Sequence, residues 1–338
     1  MTASCFFLLF SSCSSNPKNQ PALERFEYDQ PEMGVPFRII VYAKNEGEAE
    51  HAVNAAFTRI EQLNHILSDY ETDSEISELS RTSGKNMEVR LSDDLWNVLS
   101  VSQELSRRSA GAFDVTVGPC VGLWRKARRE KKLPSPEQIE HFRERVGYQN
   151  LILDKKNKTA KLLKTEMRLD VGGIAKGYAA DEAIKIIRSL GIRSALVAAS
   201  GDLSLADPPP GEKGWKVEIA GYDRPDGPSA GYAILSNCGV STSGDLFQRL
   251  EIDGVRYSHV LNPYTCIGLT NHALATVIAP RGIRADGLTK AMIILEPKAA
   301  LKLAEEYDAA VRIVALENEK PVLYQNRRFT EIVSSKAN

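Results

Sequence analysis

Residues 170–177 have the types and spacing that could bind a phosphate group. Asp170 is followed by the diglycine Gly172-Gly173 and then by Lys176. The sequence predicts an extended segment over Met167–Val171, a tight turn at the two glycines and then a helix. Amide N–H groups and the positive end of the helix dipole would meet there, which favours phosphate, although the glycines could equally serve only to make the turn. Asp170 would lie beside an anion only if a cation, either Lys176 or a metal ion, stood between them.

A second candidate lies towards the C-terminal end, where Asp286 and Thr289 stand at the start of a predicted helix. Residues at i and i+3 share one face of a helix, so their oxygens could reach the same cation. Carboxylate and hydroxyl oxygens suit a hard cation such as Mg²⁺. The alternative is that Asp286 simply caps the helix.

Two loops carry aromatic side chains that could stack on a flat ring. Tyr70 lies in a polar loop that follows a long predicted helix. In the second loop, Gly111–Pro119, Phe113 offers a ring face and Asp114 offers an acceptor for ring N–H groups. We expect this second loop to enter a strand. The alternatives are a helix-capping loop for the first and a structural turn with a buried Phe for the second.

A lone histidine, His259, lies at the end of a predicted strand, and the small hydroxyl residues of Ser241–Asp245 precede it. An accessible imidazole can exchange protons near neutral pH, although a lone His is more often structural. A phosphate-binding turn, hard oxygen ligands, two aromatics and a His together suit a Mg²⁺-dependent reaction on a dinucleotide pyrophosphate. The His would be its base or nucleophile.

Composition narrows the range of functions. The 338-residue chain carries 43 basic and 44 acidic residues, a formal net charge of −1, which gives no sign of a nucleic-acid surface. Its five His and five Cys are dispersed, and neither a CxxC nor an HExxH motif occurs. A bound metal is therefore expected to be a hard ion held by oxygens.

Residues 1–21 resemble a bacterial lipoprotein signal with a polar linker, which leaves residues 22–338 as the functional domain. The short apolar run Cys5–Phe10 precedes Cys13, the residue that would carry the lipid; the alternative is an unrelated leader. No later segment reaches the roughly 18 consecutive apolar residues of a spanning helix. Export would expose the remaining cysteines to an oxidising compartment, and the sequence leaves their pairing open. They are Cys120, Cys238 and Cys266.

The elements that would position these residues mix helices with hairpins. Apolar residues at helical spacing predict helices over Glu46–Leu67 and Asp93–Ser109, and Ser135–Gln138 is a capping box that opens another. Asp253-Gly254 is a hairpin turn between two short strands. Because no regular βαβ alternation appears, we predict an α+β fold rather than a doubly wound sheet. The helices expected beside the candidate site are Ala175–Leu190 and Ala285–Leu295.

The chain resembles the ApbE family of FAD:protein FMN transferases from about Met33 to Leu316, because seven short segments follow one another in the order typical of that family. The matching segments are Met33-Gly34, Ser68–Ser77, Gly111–Pro119, Leu169–Tyr178, Ser241–Asp245, His259 with Asn262-Pro263, and Ala285–Thr289. The resemblance implies mixed, largely antiparallel sheets covered by helices. It also implies Mg²⁺-dependent cleavage of FAD between its phosphates, which releases AMP and leaves FMN esterified to a Thr or Ser of a partner protein.

The resemblance also assigns roles to individual residues. His259 would be the catalytic histidine, while the backbone oxygen of Gly173 and the side chains of Asp286 and Thr289 would face Mg²⁺. The residues expected to contact FAD are Met33, Tyr70, Ala112, Phe113, Asp114, Asp170, Lys176 and Val260. The acceptor would be a flavoprotein with a Thr/Ser flavinylation motif, such as a subunit of a membrane redox complex. A lipoprotein signal is common in the family, which supports an exported, lipid-anchored protein on the extracytoplasmic side of a bacterial membrane.

Several positions depart from the family pattern. Lys290 stands where many relatives carry a Thr metal ligand, and an ammonium cannot bind Mg²⁺, although it could offset pyrophosphate charge. Ser200 and Cys266 replace glycines, which could reshape loops near the flavin, and Val35 replaces a small hydroxyl residue. Two alternatives therefore stay open: a Mg²⁺-dependent FAD pyrophosphatase that gives free FMN and AMP, and a flavin-binding lipoprotein without turnover.

Overall fold

The computed structural model describes residues 22–221, 229–244, 249–317 and 320–334, so the proposed lipid site Cys13 and the predicted motif residue Asp245 lie outside the described residues. The helices are α1 Glu46–Leu67, α2 Glu75–Ser80, α3 Asp93–Arg108, α4 Gly118–Glu130, α5 Pro136–Arg143, α6 Ala175–Ser189, α7 Gly282–Ile294, α8 Pro297–Glu306 and α9 Arg327–Ile332. Across the described ranges, no helix is both long and apolar enough to cross a membrane.

The strands are β1 Glu24–Glu32, β2 Val35–Ala43, β3 Val89–Arg90, β4 Leu151–Asp154, β5 Thr159–Leu162, β6 Ala195–Ala199, β7 Asp202–Leu205, β8 Trp215–Ile219, β9 Gly231–Leu235, β10 Cys238–Gly244, β11 Arg249–Ile252, β12 Val255–Ser258, β13 Leu261–Asn262, β14 Ile267–Gly268, β15 Ala273–Ala279, β16 Ala310–Glu317, β17 Lys320–Gln325 and β18 Val333–Ser334. Eight of them form the main sheet in the order β1-β2-β6-β7-β10-β15-β16-β17. Every neighbouring pair in that sheet is antiparallel. The predicted α+β class with largely antiparallel sheets is confirmed.

Helices cover one face of the main sheet and a small sheet covers part of the other. Helices α1, α6 and α7 pack together, and α6 and α7 lie against β6, β7, β10 and β15. On the other face, β8, β9 and β18 form a second sheet, whose Trp215 and Ile219 share a core with Val240 and Ile278 of the main sheet. All seven residues of β15 are buried, because this strand is covered on both faces.

Local signals explain the helices that were predicted correctly. Helix α1 buries apolar residues at helical spacing, and the Asn45 side chain caps it by accepting from the Glu48 amide at 2.9 Å. Ser92 caps α3 in the same way, and Ser135 and Gln138 form the predicted capping box of α5.

Two predictions of extended structure are wrong: the strand expected after the loop Gly111–Pro119 and the extended segment Met167–Val171. The loop Gly111–Pro119 leads into helix α4 instead of a strand, because Pro119 stands in the first helical turn, where proline favours a helix. Met167–Val171 forms a single bridge between Arg168 and Val117, and the Asp170 amide donates to the Val115 carbonyl at 2.8 Å. The two segments therefore lie side by side and bring the Asp114 loop next to the diglycine turn. Helix α7 also begins earlier than predicted.

The cysteine pairing that the sequence left open is resolved. Cys120 of α4 and Cys266, between β13 and β14, form a disulfide with a Cα–Cα distance of 5.2 Å. Cys238 is a free thiol, and burial raises its pKa to about 11. Ser200 and Cys266 have φ angles of 58° and 61°. Both keep the left-handed backbone that glycine adopts easily, so the loss of the two glycines has not removed these turns.

Candidate active site

The diglycine turn forms the start of helix α6. The Val171 carbonyl accepts from the amides of Ile174 and Ala175, both at 2.9 Å, which closes the turn. The Gly172 amide donates to Asp170 Oδ1 at 2.8 Å. A Cβ on Gly173 would lie 3.5 Å from the ring of Phe113 and 3.5 Å from Cγ of Lys290. The turn is thus packed between the Asp114 loop and helix α7.

Helices α6 and α7 cap each other where they cross. Asp286 Oδ2 of α7 accepts from the Gly177 amide of α6 at 3.0 Å. In return, Asp181 of α6 accepts from the amides of Gly282 and Ile283 of α7 at 2.8 and 3.1 Å. A Cβ on Gly177 would lie only 2.3 Å from the Gly282 carbonyl oxygen, so this close crossing needs glycine. The Gly177 amide therefore serves Asp286 and is not available to a phosphate.

Four charged side chains meet beside this crossing, and we call them the lysine–aspartate cluster: Lys176, Asp202, Asp286 and Lys290. Asp286 is fully buried, its Oδ1 accepts from Lys290, and its Oδ2 lies 4.0 Å from Lys176 Nζ. Lys176 Nζ lies 3.2 Å from Asp202 Oδ2. Ser241 of β10 donates to the other oxygen of Asp202. The cluster holds two carboxylates against two ammonium groups in a largely buried setting.

The charges of the cluster stabilise one another. Burial alone would lower the pKa of Lys176, but the carboxylates of Asp286 and Asp202 outweigh it and raise that pKa above its ordinary value. Burial alone would raise the pKa of Asp286, but Lys176 and Lys290 bring it below its ordinary value. Both groups are therefore ionised at neutral pH, and the cluster holds opposite charges side by side next to the diglycine turn.

Thr289 lies one helical turn beyond Asp286 and is also fully buried. Its Oγ1 donates to the Asp286 carbonyl at 2.7 Å and lies 3.4 Å from Ser241 Oγ. Helix α7 begins at Gly282, so Asp286 stands in its second turn and does not cap its own helix. The capping alternative is thus wrong for α7, since the amide that Asp286 caps belongs to α6.

The Asp114 carboxylate holds its own loop together. Oδ1 accepts from the amide and the hydroxyl of Thr116 at 2.8 and 2.7 Å, and Oδ2 accepts from the Tyr148 amide at 2.8 Å. Of the two oxygens that were expected to receive ring N–H groups, Oδ1 already accepts two hydrogen bonds, whereas Oδ2 accepts one and keeps the capacity for another. Ala112 and Phe113 are buried beside it.

Met33 lies at the same end of the main sheet as Asp202. It forms the β1–β2 turn with Gly34, at φ angles of 48° and 75°. The Ser200 amide donates to the Pro36 carbonyl at 3.2 Å, which places the β6–β7 turn beside this hairpin end. Asp202 begins β7 directly after that turn.

His259 follows β12 and is half-buried, at the strand end where it was predicted. Its neighbour Val260 is buried in the same core as Phe113 and Ile174. The Val260 amide donates to Ser258 Oγ at 3.0 Å, and its carbonyl accepts from Leu269 at 3.0 Å. The histidine segment is thereby fixed to the core that carries the diglycine turn.

Tyr70 is 75% exposed and lies at the edge of the site. Sequence reasoning missed two residues of the site, Arg125 on the Tyr70 side and Asp202 beside Lys176. Arg125 of α4 joins Asp69 to Asp170 and stacks on Tyr70, and Asp202 pairs with Lys176. Arg125 lies in a basic run with no motif, so the sequence offered no signal for it. Asp202 directly follows the Ser200-Gly201 turn, which could have indicated it.

Residues 33–314 match the model of the ApbE family. The FAD:protein FMN transferase of Haemophilus influenzae is 30% identical over 286 residues, which cover 82% of this chain and 82% of that protein. The Escherichia coli K12 protein of the same name is 25% identical over 341 residues, covering 98% and 96%. The crystal structure of the Pseudomonas stutzeri flavinyl transferase ApbE, apo form, matches with a TM-score of 0.81 and 28% identity, covering 94% of this chain and 99% of that chain. The chain thus belongs to the ApbE family.

Proposed function

We propose that this protein is an enzyme that transfers FMN from FAD to a Ser or Thr hydroxyl of a partner protein and releases AMP. Family membership supports this activity, and similar proteins bear the name FAD:protein FMN transferase. The structural observation that carries the proposal is the meeting of the diglycine turn with Asp286. In the first turn of α6, directly after the diglycine, Lys176 Nζ lies 4.0 Å from Asp286 Oδ2 and the Gly177 amide donates to the same oxygen.

The reaction breaks the phosphoanhydride bond between the two phosphates of FAD and forms a phosphoester bond to the acceptor. The hydroxyl oxygen of the acceptor attacks the phosphorus on the FMN side of the pyrophosphate, and the bond to the AMP phosphate breaks. In the proposal His259 takes the hydroxyl proton, as a general base must. Lys176 and Lys290 face the negative charge that shifts onto the departing AMP, and positioned positive charge is what phosphoryl transfer mainly requires.

Mg²⁺ is part of the proposal, and the donor chemistry fits it. The Asp286 carboxylate, the Thr289 hydroxyl and the Gly173 carbonyl are hard oxygen donors on two segments that touch, and phosphate oxygens of a substrate commonly complete such sites. Bound there, the ion would neutralise phosphate oxygens. Lys290 holds Asp286 Oδ1, so it would have to release that oxygen to the ion. In the described part of the chain no group of three or more His, Cys, Asp or Glu could hold a metal.

Product analysis with and without an acceptor tests the proposal. We would incubate residues 22–338 with FAD and Mg²⁺, alone or with a protein that carries a Thr/Ser flavinylation motif, and separate the products by chromatography. Transfer predicts AMP and protein-bound FMN only when the acceptor is present. Free FMN and AMP without an acceptor would instead identify a pyrophosphatase. Tight FAD binding that is unaffected by a chelator and gives no AMP would identify a flavin-binding protein without turnover.

We also propose that the protein is exported and anchored by a lipid at Cys13, facing an acceptor in a membrane redox complex. The leader sequence supports this, and the Cys120–Cys266 disulfide suits an oxidising compartment. Cells labelled with a fatty-acid probe should give a labelled band for the natural chain and none for Cys13→Ala. Equal labelling of both chains would contradict the anchor.

A further inference from the structure

Arg125 joins two parts of the site that are far apart in sequence. Its Nη1 donates to Asp69 Oδ2 at 2.6 Å, and its Nη2 donates to Asp69 Oδ1 at 3.1 Å and to Asp170 Oδ2 at 3.2 Å. The side chains of Asp69 and Asp170 are only 10% and 11% exposed, so these hydrogen bonds between the Arg125 guanidinium and the two carboxylates, which we call the fork, are partly shielded from water. Because Asp170 Oδ1 also accepts from the Gly172 amide, the fork reaches the diglycine turn.

The plane of the same guanidinium covers one face of Tyr70. Its Cζ lies 3.9 Å from the centre of the Tyr70 ring, well inside the distance at which a cation is attracted to an aromatic face. Tyr70 is nevertheless 75% exposed. An exposed Tyr ordinarily moves among rotamers, but this contact selects one orientation and leaves the opposite face of the ring open.

We propose that Arg125 is a positioning residue that holds the Tyr70 ring as a platform for the flavin substrate. This inference rests on the proposed function, because it takes FAD to be the ligand. A guanidinium suits the task since it can bind two carboxylates and stack on a ring at once, whereas an ammonium cannot do both. Arg125 acts through Tyr70 and Asp170 and need not touch FAD itself.

The variant Arg125→Lys distinguishes the effect of the positive charge from the effect of the guanidinium's shape. Arg125→Lys keeps the positive charge between Asp69 and Asp170 but loses the planar fork and the stack. We expect the Kd for FAD to rise about tenfold in Arg125→Ala and by nearly as much in Arg125→Lys, in keeping with one lost cation–π and ion-pair contact. Arg128→Ala, an exposed arginine on the same helix, is the matched control and should bind FAD as the natural protein does.

The decisive test is a double-mutant cycle on FAD binding, measured by fluorescence without acceptor or turnover. If Arg125 works through Tyr70, then Arg125→Ala combined with Tyr70→Ala should bind FAD no more weakly than the weaker single variant. The fluorescence of bound FAD should also rise in Arg125→Lys, because a ring that is no longer held quenches it less. Melting curves show whether each variant is folded. If Arg125→Ala does not fold, Arg125→Lys takes its place in the cycle.

Additive losses of affinity in the cycle would overturn the inference, as would unchanged bound-state fluorescence or full rescue of FAD affinity by lysine. If the unmutated protein binds FAD but does not transfer FMN, the proposed function is contradicted, whereas the effect of Arg125 on FAD binding can still be interpreted. A natural protein that does not bind FAD would overturn both.

Discussion

The main difference between this site and the pattern expected for the family is Lys290, which forms an ion pair with Asp286. The sequence placed an ammonium where a metal ligand was expected, and the structure shows that ammonium on the buried carboxylate. A buried carboxylate that lost both of its ammonium partners would be costly. Lys290 therefore satisfies Asp286 in this structure, and a Mg²⁺ ion at the proposed site would have to compete with it.

The proposed Mg²⁺ site predicts how Asp286 and Lys290 would affect the Mg²⁺ concentration that the reaction needs. Asp286→Asn keeps an acceptor for the Gly177 amide but removes the charge, so half-saturation with Mg²⁺ should need about tenfold to hundredfold more metal. Lys290→Met should shift it in the opposite direction, to lower Mg²⁺. Titrations of AMP release and calorimetric Mg²⁺ binding measure both, with the exposed Glu212→Gln as control. An unchanged Mg²⁺ requirement in Asp286→Asn would place the ion elsewhere.

A second prediction at this scale concerns His259. His259→Ala should abolish AMP release and leave FAD binding intact, because the proton acceptor is lost while the lysine–aspartate cluster is not. Rates of AMP formation and the Kd for FAD measure the two effects separately. Full activity of the variant would remove His259 from the reaction.

At the scale of elements, helix α4 connects the parts of the site. It carries Cys120, bonded to Cys266, and Trp124, which packs against Tyr257 of β12 with ring centres 5.4 Å apart. It also carries Arg125, which reaches Tyr70. One helix thus links the histidine segment to the diglycine turn.

Because α4 carries Cys120, we expect loss of the Cys120–Cys266 disulfide to affect both stability and activity. We expect Cys120→Ser with Cys266→Ser to lower the melting temperature, because a link that closes a loop of 146 residues constrains the unfolded chain by about 4–5 kcal/mol. The rate of AMP release should fall together with it, since His259 lies close to the linked segment. Cys238→Ser is the matched control. Equal stability and activity with and without the link would contradict this role.

The backbone conformation of Ser200 leads to a prediction about stability rather than activity. Ser200 has φ 58°, which costs a non-glycine residue roughly 1 kcal/mol, so Ser200→Gly should raise the stability by up to that amount. Chemical denaturation measures it. Asn237→Gly, at φ 52°, is a comparison outside the site and should gain less, because Asn adopts this backbone more easily and its Oδ1 accepts from Arg188. A loss of stability in Ser200→Gly would show that the Ser side chain itself stabilises the turn.

Elements with local signals could be predicted and those held by distant partners could not. Helix α1 was predicted with its observed bounds, because its apolar period and Asn45 cap lie within the segment. Helix α4 was missed, because its buried face packs on residues such as Leu261 that are distant in sequence. Strand β17 and helix α9 were missed as well. In the site, the diglycine turn and Asp286 were found, but their joining through Gly177 and the pairing of Lys176 with Asp202 are contacts between distant segments.

For the whole molecule, the fold places the site where helices α6 and α7 cross over the main sheet. The β1–β2 hairpin, the β6–β7 turn and the exposed Tyr70 lie around it. In the proposed transfer, a protein acceptor would bring its hydroxyl to the site past these surrounding segments.

The most direct test of FMN transfer is the intact mass of an acceptor protein after incubation with this protein, FAD and Mg²⁺. The acceptor should gain one FMN phosphoester with the natural chain, and none when His259→Ala replaces it or when the acceptor's Thr/Ser is changed to Ala. An acceptor whose mass stays unchanged while FAD is bound, or is hydrolysed to free FMN, would contradict the transferase account.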